Sequence, residues 1–152
     1  MILIIGCSHN EETIVDHSEK ESTDTGYDAK LAAEIGADDY GMKQYVMAFL
    51  RRGPNRSEDS ATVAELQRAH LNNIDRLAEE GKLVLAGPFL DDGDLRGIYV
   101  FNVTTVEEAK ALTESDPAIK AGSLVMELHP WYGSAAVMKV TELHYKVAKE
   151  NP

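Results

Sequence analysis

An α+β fold with a ferredoxin-like β-α-β-β-α-β core is predicted by three observations. Four short segments between residues 44 and 131 are rich in β-branched, aromatic and other apolar side chains, and breaker clusters bound them. Two of the segments between them carry helix signals, one as apolar residues every three to four positions and one as a capping threonine before two glutamates. A turn rich in Asp and Gly joins the middle two strands with no room for a helix, so those strands pair as a hairpin. That order places two helices on one face of an antiparallel sheet.

The elements follow in chain order. Gln44 to Leu50 (QYVMAFL) reads as the first strand and stops at Arg51-Arg52-Gly53-Pro54. Ala61 to Glu80 reads as a helix, because Val63, Leu66, His70, Ile74 and Leu77 recur at spacings of 3, 4, 4 and 3 and Gly81 closes it. Lys82 to Phe89 and Leu95 to Val103 are the second and third strands, joined by Asp91-Asp92-Gly93-Asp94. Thr104 or Thr105 caps a second helix that runs to about Ser115, with Glu107 and Glu108 in its favourable first turn. Leu124 to Trp131 is the fourth strand. After Gly133, Ser134 caps a final helix carrying Val137, Val140, Leu143 and Val147. In the first strand Tyr45, Met47 and Phe49 point to one side and Val46, Ala48 and Leu50 to the other, so both sheet faces are apolar. With both helices on one face, the second face is expected to be buried by a homodimer that stacks two sheets into a barrel.

The first quarter of the chain has a different character. Between Ser8 and Gly41 there are ten acidic and two basic residues, and Ser8 to Asp28 has almost no apolar periodicity, so residues 8–42 read as an acidic flexible tether in which Lys30 to Ile35 favours a short helix. Ahead of it, Ile4-Ile5-Gly6-Cys7 resembles a lipobox, and residues 1–7 read as the remnant of a signal with Cys7 as lipid anchor. The alternative is a short buried strand or a chance apolar start. A cell-envelope lipoprotein is expected if coding sequence upstream of Met1 supplies the rest of the signal, and a cytoplasmic protein otherwise.

Composition excludes several functions. The 152 residues are 43% hydrophobic and 27% charged, as in a soluble globular protein able to build a core without disulfides. A formal net charge of -11 repels nucleic acid and anionic lipid surfaces alike, leaving a lipid anchor as the expected route to a membrane. One cysteine forms no internal disulfide and no His or Cys pair has metal-ligand spacing, so neither metal nor cofactor is expected.

From Tyr45 to about Val137 the chain resembles the YciI-like (YCII-related) domains of the dimeric α+β barrel superfamily. The resemblance rests on five blocks in order: Phe49-Leu50-Arg51-Arg52-Gly53-Pro54; Arg68-Ala69-His70-Leu71; Gly81 to Phe89 (GKLVLAGPF); Ser115-Asp116-Pro117-Ala118 with Ala121-Gly122; and Glu127-Leu128-His129-Pro130-Trp131. It implies a domain over residues 43–133, a ferredoxin-like protomer, a barrel-forming dimer, and a pocket worked by a histidine and an aspartate, here His70 and Asp116. Residues 134–152 are then a C-terminal helical extension outside the common pattern. Relatives on this barrel range from lactone isomerases and dehalogenating enzymes to haem-degrading monooxygenases, so fold alone does not choose a reaction.

Among the residues, His70 falls within the apolar stripe of its helix and faces the sheet. It is either a core histidine satisfied by backbone groups or, as the resemblance implies, a proton-transfer group. Imidazole, with an unperturbed pKa of about 6.5, suits that work near neutral pH. Asp116 before Pro117 reads equally as a helix cap and as the partner of His70, and one oxygen can serve each role. Gly87, Pro88 and Phe89 are candidates for a pocket wall. Arg51, beside Arg52, is a candidate for binding a substrate carboxylate, and Trp131, with His129 and Tyr132, for lining the cavity or packing the dimer. No Gly-x-Ser-x-Gly elbow supports a serine hydrolase. Two functions remain: a small acid–base enzyme acting by proton abstraction, isomerisation or elimination on a small organic molecule, or a non-catalytic ligand-binding or accessory domain tethered to a membrane.

Overall fold

The computed structural model describes residues 26–150. The lipobox-like segment with Cys7, and the tether up to residue 25, lie outside the described residues. The sheet has four antiparallel strands in the spatial order β2-β3-β1-β4: β1 (Met42–Arg52), β2 (Leu83–Pro88), β3 (Leu95–Phe101) and β4 (Leu124–Ser134). With α2 (Ser60–Glu79) between β1 and β2, and α3 (Val106–Thr113) followed by the single-turn α4 (Pro117–Lys120) between β3 and β4, the chain is an α+β, ferredoxin-like protein. A 3-10 helix (Ala135–Lys139) and α5 (Val140–Val147) follow β4.

The local causes are legible. Asp59 caps α2 by accepting from Thr62 N, and Gly81, with φ of 66°, takes the left-handed conformation that turns the chain into β2. Thr105 caps α3 by accepting from Glu108 N, and Ser134 caps the 3-10 helix. β4 runs three residues beyond the predicted Trp131. It tolerates Pro130 because it is an edge strand, and the missing amide breaks no ladder in the sheet interior.

Cross-strand pairing sets the two faces. Val46, Ala48 and Leu50 of β1 lie beside Phe101, Tyr99 and Gly97 of β3 and beside Pro130, Leu128 and Met126 of β4, all toward the helices. Val46, Phe101 and Leu77 of α2 are at most 1% exposed in this core. Truncating Leu77 to Ala is expected to cost about 2–5 kcal/mol.

The second face, which the sequence reading assigns to burial by a homodimer, is not left wholly to a second copy. The chain itself covers part of it: Val137 and Met138 of the 3-10 helix pack against Tyr45, Val84 and Val100, with Met47, Leu85 and Trp131 around them. Residues read as one terminal helix thus divide into a 3-10 turn that fills this face and an α-helix beyond it. Within the segment read as an acidic tether, α1 (Ala29–Ile35) forms between the Asp28 cap and Gly36, whose φ is 71°. It docks on the 3-10 helix, with Glu34 paired to Lys139 and Lys43 Nζ donating to Ile35 O. Just beyond α1, Tyr132 donates to Asp38, which also accepts from Met42 N. These bonds hold the Asp38 carboxyl below its ordinary range, Tyr132 contributing most. Among the described residues no helix is long and apolar enough to cross a membrane.

Candidate active site

The site begins in the middle of α2. His70, Asn73 and Leu77, at i, i+3 and i+7, are the buried positions of that helix, whereas Val63 is 45% exposed although it belongs to the same stripe. The N-terminal half of α2 therefore stands off the sheet. The space beneath it is a cavity of about 420 Å³ whose apolar walls include Leu66, Leu71, Ile74 and Leu124. His70 and Tyr99 supply polar groups to its lining.

Asp116 reaches His70 from the other helical layer. Pro117 stands in the first turn of α4 and Asp116 immediately precedes it, so Oδ1 accepts from Ala118 N at 2.8 Å. The other oxygen, Oδ2, lies 2.7 Å from His70 Nδ1. Asp116 is fully buried, and the imidazole is its way out to the cavity. Because a carboxylate only accepts, the ring proton belongs on Nδ1 and leaves Nε2 as an acceptor. Asn73 Nδ2 stands 3.5 Å from the same Oδ2. Its amide is turned that way because Asn73 Oδ1 accepts from Arg76 at 2.8 Å and from Ser115 at 3.0 Å.

Tyr99 completes the group. It sits on the helix-facing side of β3 between Ala48 and Ala86, small neighbours that leave room for the ring. Its hydroxyl lies 3.2 Å from His70 Nε2, and the two rings are 6.2 Å apart at 17°. Burial pushes the Tyr99 phenol upward and the Asp116 charge adds to it, so it remains an O–H donor throughout the neutral range. Among the described residues no buried side-chain nitrogen or oxygen lacks a partner, and no group of three His, Cys, Asp or Glu gathers as a metal site.

The remaining sequence candidates separate. Gly87 and Pro88 line the cavity wall. Phe89 lies beyond the end of β2, 40% exposed, and is absent from that lining. Arg51 points to the opposite face of the sheet, where it donates to Glu127 at 2.8 Å and Asp94 at 3.2 Å. Trp131 lies on that face too and packs on Tyr45 with centroids 5.6 Å apart. Two site residues escaped the sequence reading. Tyr99 was hidden within an apolar strand, although a tyrosine hydroxyl at a core position needs a partner. Asn73 lies one turn beyond His70 on the inward face, where a polar amide is out of place unless it bonds something buried.

The family match covers most of the sheet and all four residues of the His70 group. A YCII-related domain matches residues 45–132, which includes β1 from Tyr45 through most of β4. An uncharacterized protein, YjpA of Bacillus subtilis (strain 168), is 34% identical over 90 residues, covering 59% of this chain and 95% of that protein. Among solved structures, 5-chloro-2-hydroxyhydroquinone dehydrochlorinase (TftG) of Burkholderia phenoliruptrix AC1100, in complex with 2,5-dihydroxybenzoquinone, is 22% identical with a TM-score of 0.43, over 57% of this chain and 92% of that one. The domain match spans more than half of the sequence, and the chain belongs to the family of YCII-related domain proteins.

Proposed function

We propose that this protein is a small acid–base enzyme acting on a compact, partly apolar organic molecule held in the cavity under α2, with His70 as the base and Asp116 as its orienting partner. The carrying observation is the 2.7 Å contact between His70 Nδ1 and a fully buried Asp116 at the wall of a 420 Å³ cavity. Asp116 accepts the hydrogen bond from Nδ1–H and steadies the imidazolium that forms when Nε2 takes a proton from substrate carbon or oxygen. In an isomerisation that proton returns to a different substrate atom; in an elimination it remains on the imidazole as the leaving group departs with its electron pair, and then passes to solvent. The Tyr99 O–H is placed to donate to a substrate oxygen as negative charge develops there. A positioned base of this kind contributes about 10²–10⁴-fold.

The second reading is a non-catalytic ligand-binding domain, in which His70 only hydrogen-bonds the occupant. The two separate in deuterated water with a panel of small carbonyl and hydroxyl compounds followed by NMR. The enzyme reading expects wild-type-dependent exchange or conversion of at least one compound, lost in His70→Asn while binding persists. Binding without any exchange or conversion across the panel favours the second reading. Homodimerisation belongs to this proposal also: Phe49, Ile98 and Val125 lie on the second face outside the cluster that Val137 and Met138 cover, and a second copy would bury them.

A further inference from the structure

The cavity has an electrical direction. Its rim at the start of α2 is a loop that two glycines lock to the turn before β4. Gly53 N donates to Ser123 O at 2.9 Å and Asn55 N to Gly122 O at 3.0 Å. A Cβ on Gly53 would meet Gly122 O at 2.1 Å, and one on Gly122 would meet Asn55 Nδ2 at 2.7 Å. The lock fixes the backbone that presents Arg56 and Ser57 to the cavity, which Ser123 also lines. Arg96 also lines the cavity, but its Nη1 is committed to the carbonyls of Asp91 and Gly93 in the β2-β3 turn. Arg56, by contrast, makes no hydrogen bond or ion pair among the described residues. Asp75 is the carboxylate of the lining. It stands fifteen residues beyond Ser60, where α2 begins at the rim, about 22 Å farther along the helix axis. His70 lies between these two ends.

We infer that the cavity takes a small monocarboxylate, its carboxylate held by Arg56 at the rim and its apolar body laid along Leu66 and Ile74 toward His70. This rests on the acid–base reading only for the fate of the ligand, not for its binding. A guanidinium fork matches the two oxygens of a carboxylate, and Ser57 and Ser123 bring hydroxyls to the lining of the same cavity. Asp75 at the far end disfavours a second carboxylate and so sets both the charge and the orientation of the ligand.

The test uses benzoate and cyclohexanecarboxylate beside their neutral amides, with calorimetry for affinity and the His70 ring signals for location. Each acid is expected to bind about tenfold or more tighter than its amide, a preference that Arg56→Gln removes, Arg56→Lys partly keeps, and Arg51→Gln on the opposite face leaves intact. Absence of carboxylate binding at about 10 mM, or an acid-over-amide ratio unchanged in Arg56→Gln, overturns the inference. Failure of the two proposals reads differently. A carboxylate preference that depends on Arg56, with no proton exchange on any compound, sinks the enzyme and leaves the anion site. Proton exchange on some compound, with an acid-over-amide ratio unchanged in Arg56→Gln, does the reverse.

Discussion

Two histidines of this chain each hold a carboxylate, and they lie on opposite faces of one sheet. His70 meets Asp116 at 2.7 Å with side-chain exposures of 10% and 0%, whereas His129 meets Glu127 at 2.9 Å with exposures of 50% and 45%. The chemical pair is the same and the surroundings are not. Glu127 also binds Arg51, which contributes more than His129 to holding its carboxyl below the ordinary range, and water screens all three. Asp116 has the Ala118 amide, Asn73 and an imidazole in place of water. A histidine–carboxylate contact by itself therefore says little. Burial of the carboxylate, with the far nitrogen of the ring turned toward a cavity, is what distinguishes a positioned base from a surface ion pair.

The largest separation is expected in activity. His70→Asn should lower turnover of any substrate found by at least about 100-fold, while His129→Asn leaves it within about twofold. Steady-state kinetics on both variants checks this, and equal losses would remove the distinction between the faces. Stability gives the next effect. Asp116→Ala strips α4 of its cap and leaves the His70 Nδ1–H buried without its acceptor, an expected loss of about 2–4 kcal/mol in urea unfolding. Glu127→Ala should leave the unfolding midpoint unchanged within error.

The smallest effect separates two tyrosines. The phenols of Tyr99 and Tyr132 are both raised, Tyr99 by burial and Tyr132 chiefly by its hydrogen bond to Asp38. A group whose folded pKa lies above its unfolded value lends stability that is present below the unfolded pKa, near 10 for tyrosine, and is lost as pH rises toward the folded one. Above about pH 10 the wild type should lose about 1.4 kcal/mol per pH unit on account of Tyr99. Tyr99→Phe should flatten the slope by that amount, and Tyr132→Phe should barely change it. An unchanged slope in Tyr99→Phe would mean that the hydroxyl is better solvated than its burial implies.

Much of this arrangement was legible in the residues. The strand order, the long helix ending at Gly81, the Thr105 cap and the Asp116 cap follow from local rules that tertiary structure did not override, whereas the partnership of Asp116 with His70 was implied by the family resemblance alone. The apolar stripe of α2 was also correct, yet its meaning divided at His70: below it Leu77 fills the core, and above it Val63 and Leu66 wall the cavity. Periodicity shows which face turns inward but not whether that face touches the sheet. Tyr99 and Asn73 were hidden for the same reason, since their roles depend on partners 29 and 43 residues away. The cover on the second face could not be read either, because Val137, Val140, Leu143 and Val147 have near-helical spacing whether or not anything lies beneath them, and Met138 falls outside that stripe.

The docking of α1 has a consequence for how the protein can be held. It sits at the Met42 end of β1, while the cavity touches Leu50 and Leu124 at the other end of the sheet. At about 3.3 Å per residue, the eight steps from Met42 to Leu50 separate the two by roughly 25 Å. The docked helix therefore works as a stem: a label joined at the exposed Tyr27, just ahead of α1, sits at the far end of the sheet from the cavity, leaving its entrance clear for small molecules arriving from solution.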